Sequence, residues 1–128
     1  HGGDYVVGVA SDCEIGCDIE KNGNAPLEVA EHYFYLSELE YIRSAADKSR
    51  AFFTLWTLKE SYMKMTGRGM SLPLDSFEVV PQGEEFLLGK SVEKGCFFKT
   101  AEFDSHIFSV SRELPFTFDP TDFHEILL

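Results

Sequence analysis

Three carboxylates and one ammonium carry the chemistry this sequence offers. Asp18 and Glu20 stand two residues apart in GCDIE. On an extended strand, side chains at i and i+2 share a face, with Cα atoms roughly 6.5 Å apart. Two acids aimed at one point repel each other unless a cation sits between them. Further along, TLKESYMK supplies Lys59, Glu60 and, one helical turn later, Lys64. Trp56, Glu60 and Lys64 follow i, i+4, i+8 spacing and line one stripe of a helix. Where that stripe meets the strand face, three oxygen ligands converge. Hard oxygen donors suit Mg²⁺, which keeps waters and binds substrate phosphates, and Mn²⁺ by the same ligand chemistry. No histidine lies close in sequence to these acids, which disfavours zinc. Lys64 is placed to neutralise a phosphate. Such a set supports displacement at phosphorus, where positioning and charge neutralisation do most of the work. Two plainer readings stand beside it. The acid pair can be a solvated strand face. Glu60 and Lys64 can be a surface ion pair worth ~0.3–0.5 kcal/mol.

These residues need a strand and a helix to hold them. Residues 13–20 read as a strand, with Ile15, Cys17 and Ile19 on one face and Gly16, Asp18 and Glu20 on the other. Residues 5–10 (YVVGVA) read as a partner strand, joined through Ser11 and Asp12 as a hairpin. Pro26 opens a helix to about residue 35. Ser37 with Glu40 forms a capping-box pattern for a short helix over 38–46. Ser49 is positioned to cap a long helix over 50–66, stopped by Gly67. Phe52, Phe53, Leu55, Trp56, Leu58, Tyr62, Met63 and Met65 cover nearly its whole circumference, so it belongs at the centre of a fold. A loop at Pro73 and Asp75 follows. Segments at 76–80, 85–88, 96–103 and 107–112 then read as an antiparallel meander. The apolar tail, ending Ile126, Leu127, Leu128, is expected to pack on the body. The expected architecture is a single α+β domain over residues 1–128, an antiparallel sheet with a long central helix.

Composition bounds the partners. The 128 residues include 22 acidic and 11 basic side chains, for a net charge of -11. That excludes nucleic acid as a main partner, because a phosphate backbone is repelled. It also means that an anionic ligand needs a metal ion and a few well-placed cations. With 44% hydrophobic and 26% charged residues, the chain can bury a core. Cys13, Cys17 and Cys96 form no CxxC, hence no disulfide framework or zinc motif, and fit a reducing cytosol. No apolar run approaches the ~20 residues of a membrane helix. No signal-peptide pattern is present, so the expected location is cytoplasmic. His32, His106 and His124 are expected to be partly exposed structural residues.

Taken together, the motifs resemble the phosphopantetheinyl transferase signature of the Sfp type, in the holo-acyl-carrier-protein synthase superfamily. The first half of that signature, roughly G-(I/V)-D-x-E, is present as Gly16-Cys17-Asp18-Ile19-Glu20. The second, roughly (F/W)-(S/T)-x-K-E-(S/A)-x-x-K, is present as residues 56–64, WTLKESYMK. Residues 67–79, GRGMSLPLDSFEV, resemble the segment that follows, and His1-Gly2-Gly3 resembles the end of an N-x-S-H-S-G motif. Cys17 and Gly2 depart from the usual Ile or Val and Ser.

The resemblance implies transfer of 4′-phosphopantetheine from coenzyme A to a serine of an apo carrier protein, acyl or peptidyl. It implies Mg²⁺ on Asp18, Glu20 and Glu60, with Lys64 at the reacting phosphate and Glu60 taking the serine proton, directly or through water. It further implies His1 on the 3′-phosphate of coenzyme A and Lys59 near the nucleotide. Sfp-type members are pseudo-dimers of two similar halves. By that analogy this chain is the C-terminal half, completed by a half upstream of His1 or by a second copy. Two other readings of the same residues are a non-catalytic phosphoryl-binding module and an Mg²⁺-dependent phosphohydrolase.

Overall fold

The computed structural model describes residues 13–115. The readings made for His1, for a strand over 5–10 and for the tail lie outside those residues. Strand β1 (Ile15–Lys21) leads into three helices, α1 (Leu27–Tyr33), α2 (Leu36–Ser44) and α3 (Lys48–Met65). Two single 3₁₀ turns, Gly69–Ser71 and Leu74–Ser76, precede β2 (Phe77–Gln82), β3 (Glu85–Ser91), β4 (Phe97–Phe103) and β5 (His106–Arg112). The five strands form one antiparallel sheet in the order β1-β5-β4-β3-β2, so the α+β reading holds. The meander folds back until β5 lies beside β1, with Gly16 opposite Ser111, Asp18 opposite Ser109 and Glu20 opposite Ile107. Asp104 and Ser105, with φ of 48° and 61°, turn β4 into β5. Two consecutive left-handed residues are what a tight hairpin matched to strand twist requires.

The helix starts differ from the sequence reading for identifiable reasons. α2 begins two residues early. Tyr35 is its cap, and Glu38 closes the capping box by accepting from the Tyr35 N–H at 2.9 Å. Ser37 instead donates to Glu78 at 2.5 Å. α3 is capped by Asp47, which accepts from the Arg50 N–H at 3.0 Å, while Ser49 lies inside the first turn and donates to Asn22 at 2.8 Å. Its end follows expectation. Gly67 has φ of +77°, and its N–H bonds to the Lys64 carbonyl at 3.1 Å.

α3 is buried on nearly all sides, as its apolar circumference requires. Phe52, Leu55, Leu58, Tyr62 and Met65 are fully enclosed by α1, α2 and the sheet residues Phe77, Val79, Phe86 and Phe98. Phe52 stacks on Phe34 (ring centroids 5.7 Å apart) and on Trp56 (5.9 Å). Each such side chain contributes about 1.5–3 kcal/mol by leaving water. Phe53 is only partly buried. A second apolar cluster, Ile19, Phe108 and Val110 with Ile15 and Cys17, covers the opposite face of the sheet. The face of β1 that bears Asp18 and Glu20 is therefore the one turned to α3. Among the histidines, His32 is exposed, but His106 is buried and bonds through Nδ1 to the Asp104 carbonyl at 2.7 Å, a correction to its expected exposure. No helix among the described residues is long and apolar enough to cross a membrane.

Candidate functional site

Hydroxyl pairs hold α3 to the β1–β5 edge of the sheet. Thr57 meets Ser109 at 2.7 Å and Ser61 meets Ser111 at 2.5 Å, all four side chains being buried. Small polar residues at these positions let helix and strands approach closely while leaving no polar group unpaired. One turn on, Lys64 Nζ donates to Asp18 Oδ1 at 2.8 Å. Strand and helix therefore meet as the signature requires, and Lys64 pairs across the interface with Asp18 rather than along its own helix with Glu60.

The three acids share one electrostatic field. Asp18 is 5% exposed, and burial pushes its carboxyl above the usual carboxylate range despite the Lys64 bond and charge. Glu20 is raised by burial and by the Asp18 charge, with a hydrogen bond from Trp56 opposing. Glu60 is raised by burial and by Asp18, opposed by Lys64, and raised again by Glu20. Burial lowers the Lys64 ammonium, but its bond to Asp18 and that carboxylate's charge outweigh it, so the net direction is up. Both partners of this pair move up because Asp18 is enclosed while the Lys64 side chain is 45% exposed. Desolvation therefore dominates one end and attraction the other.

This field is short of positive charge. Asp18 Oδ2 is buried with no hydrogen-bond partner, an acceptor available to a cation. All three donors are hard oxygens of the kind Mg²⁺ prefers. The expected convergence is incomplete, however. Among the described residues, no three His, Cys, Asp or Glu side chains are gathered closely enough to hold a metal ion. The acids are neighbours in charge without forming a closed cage.

Lys59 stands elsewhere. Its side chain is wholly buried, and its ammonium donates to both Glu38 oxygens at 2.9 Å and to the Phe77 carbonyl at 2.8 Å. It also lies 4.2 Å from the Phe77 ring centroid. Burial pulls the ammonium down, opposed by Glu38. An ammonium has three donors, and all are taken. The structure thus separates Lys59 from Glu60 and Lys64 and turns it towards α2 and β2, against the expectation that it contacts a nucleotide. The apolar Leu55, Tyr62 and Met63 at i−4, i+3 and i+4 from Lys59 are the sequence signal that it lies on a buried side of the helix and needs a partner there.

One feature had no sequence signal. A groove of about 560 Å³ lies at the N-terminal end of α3, lined by Tyr41, Arg50, Thr54, Phe86 and Glu102 among others. Arg50 and Glu102 pair across it at 2.5 Å. It includes none of Asp18, Glu20, Glu60 or Lys64.

The 4′-phosphopantetheinyl transferase ffp of Bacillus subtilis is 37% identical over 108 residues, covering 81% of this chain and 48% of the relative. Sfp of Bacillus subtilis strain 168 is 34% identical over 108 residues, with the same coverage of each chain. The gsp transferase of Aneurinibacillus migulanus is 34% identical over 96 residues, covering 73% of this chain and 40% of the relative. The chain thus spans about half the length of these curated relatives. Among solved structures, holo-acyl-carrier-protein synthase of Thermotoga maritima superposes with a TM-score of 0.66 at 15% identity, over 77% of this chain and 61% of that one. The Helicobacter pylori enzyme, crystallised with coenzyme A, gives 0.64 at 18% identity, over 77% and 97%. At those identities the likeness speaks for the fold. The family model of the 4′-phosphopantetheinyl transferase superfamily matches residues 14–115, from just before the acid-bearing strand β1 to just past β5, and this chain belongs to that superfamily.

Proposed function

We propose that the protein carrying this chain transfers 4′-phosphopantetheine from coenzyme A to a serine of an apo carrier protein, acyl or peptidyl, with Mg²⁺. The observation that carries the reading is the Lys64–Asp18 contact at 2.8 Å, with the second Asp18 oxygen buried and without a partner. It joins the two halves of the signature at one place and leaves an acceptor for a cation. Asp18, Glu20 and Glu60 would hold the Mg²⁺, and the bound ion would supply charge neutralisation to the diphosphate of coenzyme A.

The chain's own residues then divide the remaining work. Lys64, half exposed, presents its ammonium to a phosphate oxygen at the open side of the site. The serine oxygen forms a bond to the phosphorus that bears pantetheine. The bond from that phosphorus to the bridging oxygen breaks, and adenosine 3′,5′-bisphosphate leaves. Glu60 is the proposed acceptor of the serine proton, directly or through water. His1 is the proposed contact of the 3′-phosphate. Lys59, enclosed by Glu38, serves the fold instead.

Coenzyme A binding needs more than this chain. Its length, about half that of the curated relatives, supports a pseudo-dimer in which it forms the C-terminal half. An upstream half or a second copy completes the cleft and supplies cations that a net charge of -11 lacks. A cytoplasmic location accords with three sparse cysteines that form no CxxC pattern.

The test is incubation of the intact protein with coenzyme A, Mg²⁺ and an apo carrier protein, followed by mass spectrometry of the carrier. A gain of one phosphopantetheine on its serine is expected. An unmodified carrier with phosphopantetheine released to water would instead identify a phosphohydrolase.

A further inference from the structure

Ser109 sits at a crossing of the fold. On β5 it is the register partner of Asp18 in β1 and of Thr100 in β4. Its hydroxyl meets that of Thr57 on α3 at 2.7 Å and lies 3.1 Å from Thr100 Oγ1. Thr57 is tied back to its own helix through the carbonyls of Phe53 at 2.8 Å and Thr54 at 3.1 Å. Neither Thr57 nor Ser109 has exposed surface. The pair Ser61–Ser111 repeats the contact four residues on along the helix and two along the strand. Four helical residues rise ~6.0 Å and two strand residues ~6.6 Å, so the two pairs match in spacing and hold α3 against sliding and rolling on β5. Gly16, opposite Ser111, has no side chain to hold β1 off the helix: a Cβ there would lie 2.2 Å from the Ser61 carbonyl oxygen.

What holds Ser109 to α3 also holds Asp18, one strand spacing of about 4.8 Å away. Lys64 lies two turns beyond Thr57 on the same helix. Helical side chains lean back towards the N-terminus, which lets Lys64 reach Asp18 at 2.8 Å. Both ends of that contact are therefore referred to one buried anchor. We infer that Thr57 and Ser109 are positioning residues, whose hydroxyl pair sets the place of the Lys64 ammonium against Asp18. The inference rests on the role proposed above for Lys64 at the reacting phosphate, and it needs no bound cation. A methyl in place of the Thr57 hydroxyl settles at ~3.5 Å from an oxygen instead of 2.7 Å, which parts helix and strand by roughly 0.8 Å. Misplacement of about 1 Å at a group that orients the reaction costs on the order of 100-fold in rate.

The test uses the intact protein with coenzyme A, Mg²⁺ and an apo carrier protein. Carrier mass gives the rate, and each variant is assayed where its melting curve shows it fully folded. Thr57→Ser keeps the hydroxyl and gives up the methyl, and Thr57→Val does the reverse. Both should melt cooperatively below the parent. Thr57→Ser should keep kcat within ~2-fold, whereas Thr57→Val should lower kcat ~10–100-fold and leave KM for coenzyme A within ~2-fold. A merely structural role would instead make the two rates follow the two melting temperatures. In a Lys64→Met background, Thr57→Val should cost less than ~2-fold, because the group it positions is gone. If Thr57→Val does not fold, Ser109→Ala breaks the pair from the strand side and leaves Thr57 bonded to its two helix carbonyls, and the same fall in kcat is expected. Full kcat in Thr57→Val or Ser109→Ala, an equal loss in Thr57→Ser, or an undiminished loss in the Lys64→Met background overturns the positioning role and leaves the transferase reading intact. A parent protein that modifies no carrier overturns both.

Discussion

Replacing Lys59 with methionine tests whether this lysine belongs to the fold or to the ligand. Methionine keeps the length of the stem and removes the ammonium. The loss is not confined to three hydrogen bonds. It strands Glu38, which has no exposed surface and would keep only the backbone N–H groups of Tyr35 and Val79 as partners. Removing one partner of a buried ion pair costs about 3–5 kcal/mol, because the other charge is left in a low dielectric. Glu38→Gln should cost a similar amount by stranding the ammonium against the Phe77 carbonyl and ring. The double variant Lys59→Met/Glu38→Gln leaves no buried charge, and the glutamine oxygen still accepts a backbone N–H. It should therefore be more stable than the summed single variants by on the order of 2–3 kcal/mol. Urea denaturation followed by circular dichroism gives all three values. Additive single-variant effects, or a Lys59→Met variant within ~1 kcal/mol of the parent, would refute the argument. The functional arm is equally direct. A structural Lys59 predicts that the folded double variant keeps its KM for coenzyme A, whereas a nucleotide contact predicts a rise.

Glu60→Gln should fold normally and lose transfer activity by more than tenfold, and chelation of Mg²⁺ should do the same reversibly; activity within tenfold of the parent would contradict the proposed role. Phe52→Ala, at 1% exposure and in contact with the Phe34 and Trp56 rings, should destabilise by about 3–5 kcal/mol in thermal or urea unfolding, well beyond the partly buried Phe53→Ala. Burial pushes the Cys96 thiol from its usual 9.0 up to about 12. The native protein therefore binds more protons than the unfolded chain between those values, and this contribution to stability, full below 9.0, is lost as pH rises through the window. Iodoacetamide at mildly alkaline pH should spare Cys96 in the native protein and label it after denaturation, and rapid native labelling would show that the thiol is not enclosed.

The elements were largely legible because their signals are local. The central helix announced itself through apolar residues on every side, and Gly67 marked its end. Its start is not fixed by sequence, because Asp47 and Ser49 both suit a cap and only the contact of Ser49 with Asn22 separates them. The sequence places the capping box of α2 at Ser37 and Glu40, whereas Glu38 takes the role because Lys59, far along the chain, captures its carboxylate. In both places a tertiary contact chose between local alternatives of similar strength.

The signature residues themselves also divide along that line. Period-two and period-four spacing on strand and helix is a covalent property, so it was enough to place Asp18 with Glu20, and Glu60 with Lys64, on common faces. Only the folded chain decides which faces meet. It turned the acid face of β1 to α3 through a glycine too small to obstruct it, gave Lys64 to Asp18, and sent the adjacent Lys59 to the other side of the helix. Neighbouring positions on an α-helix point about 100° apart. One step in sequence can therefore separate a group at the site from one sealed in the core, and that division depends on what packs against each side.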